Sequence, residues 1–154
     1  MKYIGYFKKI FKDSLRDFTS LGNPLVLVII SLFIIGLSIK LVYIIIGLIF
    51  IEIIGSLIKI VYYKRRPCKE SYNNILEKID SGSFPSLHSA RASFVFTTLF
   101  ILSSNTFLKI LFIILIVIVI LTRILLKKHY IKDTIAGAIL GIITFFIGSK
   151  IGWL

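Results

Sequence analysis

Thr122-Arg123-Ile124-Leu125-Leu126-Lys127-Lys128-His129-Tyr130-Ile131-Lys132-Asp133 is a short basic interruption between two long apolar runs, residues 107–126 and 131–147. The hydrocarbon core of a bilayer asks a helix for roughly 20 apolar residues. The stretch therefore predicts the end of one membrane helix and the start of the next. It also places an arginine, a histidine and an aspartate together. His129 and Asp133 are four positions apart, which on a helix stacks them on one face. An aspartate so placed can hold the imidazole by Nδ1–H and leave Nε2 free, as a nucleophilic or general-base histidine requires. Read alone, the same residues fit a basic membrane-boundary loop with a charge pair equally well.

Composition carries the membrane reading to the whole chain. Of the 154 residues, 57% are hydrophobic and the mean hydropathy is +0.97, whereas soluble domains hold about 45–50% apolar residues. The formal net charge of +12 suits either nucleic-acid binding or a charge-biased membrane protein. Apolar runs long enough to span favour the second, so no nucleic-acid partner is expected. Cys68 is the single cysteine. It allows no internal disulfide and has no Cys or His at metal-ligand spacing, so no zinc site is expected. Residues 1–18 mix Lys, Asp and aromatics without an uninterrupted apolar core, unlike a cleaved signal.

Tyr3, Phe7, Ile10, Phe11, Leu15 and Phe18 recur at helical spacing, with Lys and Asp residues between them. That pattern predicts an amphipathic interfacial helix within residues 1–20. Apolar segments at 21–40, 41–63, 85–103, 107–126 and 131–147 predict about five spans. The fold class is then all-α: a polytopic transmembrane helix bundle plus the N-terminal helix, one domain over 1–154 with its membrane core at 21–154. Gly137-xxx-Gly141, continued by Gly148, predicts a close-packing face, with Ser89, Ser93 and Thr97 as a candidate facing ridge. Two helices separate loop 62–84 from 127–130, so the two loops share a side. Of the 19 Lys and Arg residues, only Lys40, Lys109 and Lys150 fall towards the other side. The bias favours a cytoplasmic position for the motif-bearing side of a multi-pass cell-membrane protein.

Chemistry-bearing residues gather on that side. Lys59 and Arg66 are seven apart, two helical turns, and Pro67 ends the segment. Lys59 lies deeper than a boundary anchor, where an isolated charge suggests a function. Lys64, Arg65, Lys127 and Lys128 read as snorkelling anchors. Pro85-Ser86-Leu87-His88 opens a helix, whose first N–H groups attract anions. His88, in that first turn, could give a proton to an oxygen leaving phosphorus; a structural histidine is the bland alternative.

Lys59-(six residues)-Arg66-Pro67, Pro85-Ser86-Leu87-His88 and Thr122-Arg123-(five residues)-His129-(three residues)-Asp133 together resemble the three-part signature of the type 2 phosphatidic acid phosphatase (PAP2) superfamily, written KxxxxxxRP, PSGH and SRxxxxxHxxxD. The resemblance implies that His129 attacks phosphorus and becomes a phosphohistidine while Asp133 orients it. It further implies that His88 protonates the leaving oxygen and then activates water. Lys59, Arg66 and Arg123 would clamp the phosphate oxygens, with the backbone N–H and hydroxyl of Ser86 helping. No cofactor and no metal are implied. The partners implied are a lipid phosphate or polyprenyl diphosphate and the bilayer.

Leu87 stands where the family has glycine, and Thr122 where it has serine. The family's usual core has six helices, and this chain has room for five. Pro-Ser-Leu-His resembles the sphingolipid-synthase branch, so lipid phosphotransfer stands beside hydrolysis. Arg91, three residues after His88, resembles the polyisoprenoid diphosphate phosphatase branch, where it would meet a second phosphate. An intramembrane pair of Arg91 with Glu52 is the competing reading. A third class, a non-catalytic basic membrane protein, would leave both histidines idle.

Overall fold

The computed structural model describes residues 2–68 and 73–152, and the regular elements among them are all helical. Residues 69–72 of the expected polar loop, and residues 1 and 153–154 of the expected domain, lie outside the described residues. The chain order is α1 (Lys2–Thr19), a 3-10 turn (Ser20–Gly22), α2 (Pro24–Ile35), α3 (Ile39–Val61), α4 (Ile75–Asp80), α5 (Leu87–Leu102), α6 (Thr106–Leu125) and α7 (Ile131–Lys150).

Helix ends follow local chemistry. Asn23 Oδ1 accepts the Leu25 N–H at 2.9 Å and Pro24 occupies the first turn, which starts α2. Gly36 has φ of 65° and ends it. The expected first span, 21–40, is thereby cut to a 12-residue helix, about 18 Å long at 1.5 Å per residue. Lys9–Gly22 and α2 meet at a 67° bend. Among the described residues, α3, α6 and α7 are by length and composition long and apolar enough to cross a bilayer alone, with a fourth crossing if the bent pair counts as one. The expected spans at 21–40 and 85–103 fall short of that length: Pro24 and Gly36 bracket the first segment, and α5 has 16 residues.

α5 is the central helix, packed chiefly against α7 and α6 and also against α3 and α2. Ala90, Ala92, Val95, Phe96 and Leu99 on α5 are buried with Ile44 and Ile51 of α3 and Phe112 of α6. Phe96 and Phe112 stack with ring centroids 6.1 Å apart. Large apolar side chains instead face outward on α3 (Ile53, Leu57), α6 (Ile113, Val117) and α7 (Ile135, Ile139). An apolar exterior around buried Ser, Arg, Lys and His inverts the soluble pattern and suits a hydrocarbon solvent.

α7 lies close on α5 where glycine allows it. A Cβ at Gly137 would run into the Ser86 carbonyl, and one at Gly141 into the Ala90 carbonyl, with Phe94 N at 2.8 Å. The facing ridge is therefore Ser86–Ala90–Phe94, not Ser89, Ser93 and Thr97, which form the neighbouring stripe. At one end of the bundle the polar segments interlock. Ser83 N–H donates to Lys64 O at 2.7 Å, Cys68 N–H to Lys127 O at 3.1 Å, and Ser86 N–H to Asp133 O at 3.0 Å. Loops 62–84 and 127–130 thus meet at the same end.

Candidate active site

The site grows from the way α6 ends. Arg123 O accepts the N–H of Lys128 at 3.1 Å and of His129 at 3.2 Å, and Lys127 adopts φ of 55°. This turn brings the His129 ring back beside Arg123. His129 is buried, 3% exposed. Its Nδ1 lies 2.6 Å from Ser83 O, and its Nε2 lies 3.4 Å from Arg123 Nη2. A carbonyl only accepts and a guanidinium only donates, so both neighbours select one tautomer, with the proton on Nδ1 and the lone pair on Nε2. Burial, and next the Arg123 guanidinium, lower the His129 pKa to about 3 against the raising pull of Ser83 O. The ring is neutral at ordinary pH.

Asp133 does not hold that ring. His129 lies two residues ahead of the first residue of α7, so no helical register joins the two side chains. Asp133, fully buried, turns back on its own helix start: Oδ2 accepts from Tyr130 N–H at 3.0 Å and from the Ser83 hydroxyl through a short bond. Lys64 Nζ donates to Oδ1 at 2.6 Å and lies 4.6 Å from the Tyr130 ring centre. Lys64 is thus not the snorkelling anchor its boundary position suggested.

Two of the expected clamp cations converge on the end of α4. Lys59, 2% exposed, donates to Asp80 O at 3.3 Å and lies 3.7 Å from Asp80 Oδ1. Arg66 Nη2 donates to the same carbonyl at 2.6 Å. Carbonyls at a helix C-terminus lack intrahelical partners and carry partial negative charge, which attracts cations. The third cation, Arg123, donates from Nη1 to Thr19 Oγ1 at 3.2 Å, tying α1 to the site. The fields of Arg123, Arg66 and Lys59 all act on His129.

Arg91 is engaged by protein. Its Nε pairs with Glu52 Oε1 and its Nη1 donates to Gly22 O at 3.2 Å, the pair that sequence offered as the competing reading. His88 lies against the 3-10 turn, since a Cβ on Gly22 would sit 2.8 Å from His88 Cβ. The fields of Arg123, Arg91, His129 and Arg66 reach it. Ser86 is fully buried at the N-cap of α5. Its N–H goes to Asp133 O and its hydroxyl receives the Ser89 hydroxyl at 3.1 Å, so that N–H is committed to the loop rather than presented to an anion. Leu87 points away from this end, into the space left by Gly55 of α3, and the bulk that replaces glycine is absorbed there.

A cavity of about 490 Å³ opens beside His129, lined by Lys64, Ile124, Tyr130, Ile131 and Lys132. Among the described residues no group of three or more His, Cys, Asp or Glu is placed to hold a metal. The PAP2 superfamily profile matches residues 40–153.

The chain belongs to the PAP2 superfamily.

Membership supports, at the level of the family, a membrane phosphatase acting on lipid phosphates. No curated protein sequence matches. Among solved structures, the crystal structure of a transmembrane PAP2 type phosphatidylglycerolphosphate phosphatase from Bacillus subtilis is similar, with a TM-score of 0.71 over 92% of this chain and 76% of that one, at 18% identity. That likeness speaks for the transmembrane fold of this PAP2 chain. Ser83, Lys64, Asp80 and Thr19 are contacts of the site that sequence reasoning missed. Ser83 had one available signal, its place just ahead of Pro85-Ser86-Leu87-His88; the other three join the site only through folding.

Proposed function

We propose that the protein hydrolyses a lipid phosphate or polyprenyl diphosphate through a phosphohistidine on His129. The observation that carries this reading is the fixed tautomer: Nδ1 is taken by Ser83 O, and Nε2 is left with its lone pair on the Arg123 side. In the first step Nε2 forms a bond to phosphorus and the phosphorus–oxygen bond to the leaving group breaks, the lipid alcohol for a lipid phosphate or the polyprenyl monophosphate for a diphosphate. His88 gives its proton to the departing oxygen, as acid catalysis of such a step requires. Lys59, Arg66 and Arg123 exchange their present oxygen partners for the three phosphoryl oxygens, where charge is spread in the transition state. In the second step neutral His88 takes a proton from water, the hydroxide attacks phosphorus, and the bond to Nε2 breaks to release phosphate. Asp133 holds the loop that carries His129.

The cavity beside Ile124 and Ile131 supplies an apolar approach for the lipid tail, between the ends of α6 and α7. Fixed cations do the electrostatic work, so turnover persists in chelator; activity lost in chelator and restored by Mg²⁺ would contradict this. The basic side is assigned to the cytoplasm from its charge, and labelling of exposed Cys68 with an impermeant reagent in intact cells checks it.

Phosphate release from phosphatidic acid, phosphatidylglycerol phosphate and polyprenyl diphosphate in detergent micelles, with wild type beside His129→Ala, tests the proposal. Release by wild type and its loss in His129→Ala are expected. Full release by the variant would leave a non-catalytic basic membrane protein as the better reading. Label appearing in an acceptor lipid rather than as free phosphate would identify a phosphotransferase using the same residues.

A further inference from the structure

Ser83 is fully buried and uses all three of its polar groups at once. Its N–H donates to Lys64 O at 2.7 Å, its carbonyl accepts His129 Nδ1–H at 2.6 Å, and its hydroxyl donates to Asp133 Oδ2. Lys64, whose carbonyl receives the Ser83 N–H, grips Asp133 Oδ1 with its own ammonium at 2.6 Å. A closed ring of contacts therefore links residues 64, 83 and 133, and the nucleophile candidate hangs from it by one bond. We infer that Ser83 is a positioning residue that stands between Asp133 and His129, so that the aspartate directs the imidazole at one remove, through the Ser83 hydroxyl and carbonyl.

The Asp133 carboxylate has a second hold on the histidine's surroundings, the Tyr130 N–H at 3.0 Å, but this fixes backbone and not ring. Ring rotation about its side-chain torsions is stopped at Nδ1, where the hydrogen-bond partner among the described residues is Ser83 O. That carbonyl is fixed in turn by the Ser83 hydroxyl and N–H. When Nε2 bonds to phosphorus the ring becomes cationic, and a carbonyl already at 2.6 Å gains strength as its acceptor. Buried acceptors left unpaired are unfavourable, so removing the hydroxyl also leaves Asp133 with one donor fewer.

This rests on His129 being the nucleophile, and the test separates the two ideas. Phosphatidic acid turnover in micelles is measured for wild type, His129→Ala, Ser83→Ala, Ser83→Thr, Asp133→Asn and the double variant Ser83→Ala/Asp133→Asn. Losing a hydrogen bond to a charged group corresponds to roughly 10–100-fold in rate. Ser83→Ala is expected to lose that much kcat with KM unchanged within about twofold. Ser83→Thr, which keeps the hydroxyl, is expected to recover most of it. The double variant should be no slower than Asp133→Asn alone, since both changes cut the same connection. Wild-type kcat in Ser83→Ala, or losses that multiply in the double variant, would overturn the inference while leaving the function intact. Activity retained in His129→Ala would overturn the function itself. Should Ser83→Ala fail to fold, Ser83→Cys, isosteric and a weak donor, takes its place: about tenfold slower turnover is expected, and wild-type kcat overturns the inference.

Discussion

His129 Nδ1 donates to the carbonyl of Ser83 at 2.6 Å across 46 positions of sequence, while its Nε2 faces Arg123. Two neighbours of fixed polarity thus set the tautomer of a buried imidazole before any substrate arrives. With only two histidines in the chain, ¹⁵N NMR of histidine-labelled protein reads this directly, and His129→Gln assigns the signals. A protonated Nδ1 and a bare Nε2 are expected for His129 at pH 6, because burial and Arg123 hold its pKa near 3. A doubly protonated ring at that pH would contradict the geometry.

The same shift makes a stability prediction. A base with a folded-state pKa of about 3 and an unfolded-state value near 6.5 must release its proton to fold. Its contribution is complete above about pH 6.5 and declines as pH falls from there towards 3. Thermal unfolding of wild type should therefore fall faster than that of His129→Gln over this window, by up to about 1.4 kcal/mol per pH unit. Parallel curves for the two proteins would show that His129 is not held neutral.

Arg123 faces Nε2 and also holds the α6 turn through its carbonyl, which a side-chain change leaves in place. Arg123→Lys keeps a charge but loses the planar fork that meets two oxygens. A fall in kcat/KM of about 100-fold is expected for Lys and more for Ala, in line with removal of one transition-state donor. Equal kinetics in Arg123→Lys would place the phosphate elsewhere.

Lys59 and Arg66 both donate to the Asp80 carbonyl at the end of α4, so under the proposed mechanism an incoming phosphate competes with it. Asp80→Asn removes the carboxylate 3.7 Å from Lys59 and keeps the carbonyl. Since that carboxylate is exposed, an effect near the ~0.2–1 kcal/mol of a surface pair is expected. It should appear as a KM lowered up to about fivefold with kcat unchanged. A raised KM would mean that Asp80 orders the clamp instead of competing for it.

The end of the bundle was legible in sequence where spacing is covalent. The positions of Lys59, Arg66, His88, Arg123 and His129 on one side follow from counting apolar runs, because each run must cross or return. Helix length was less legible, since Pro24 and Gly36 shorten a segment whose hydropathy alone looks long enough. The partner of His129 was illegible in principle. A four-residue spacing suggests Asp133 only if both residues share a helix, and the turn at Lys127 with φ of 55° ends that register. Ser83 reaches His129 through the packing of α5 on α7; Gly137 and Gly141 announce a close-packing face, but not which residues it brings together.

That packing supplies the last prediction. α7 approaches α5 so closely that a Cβ on Gly137 would overlap the Ser86 carbonyl, and one on Gly141 the Ala90 carbonyl. Both obstacles are backbone, so neither can step aside by a rotamer change. Overpacking of this kind destabilises by about 1–3 kcal/mol, and Gly137→Ala and Gly141→Ala should each lower the unfolding temperature. Their kinetics should differ. Ser86 N–H is bound to Asp133 O at 3.0 Å, so displacement at Gly137 shifts the start of α5 against the loop that carries His129. Gly141 lies one turn further from that end, against Ala90 and Phe94. Gly137→Ala should therefore lose turnover well below its unfolding temperature, with Gly141→Ala closer to wild type under the same conditions. Equal activity losses in the two variants would show that helix spacing affects the site only through overall stability.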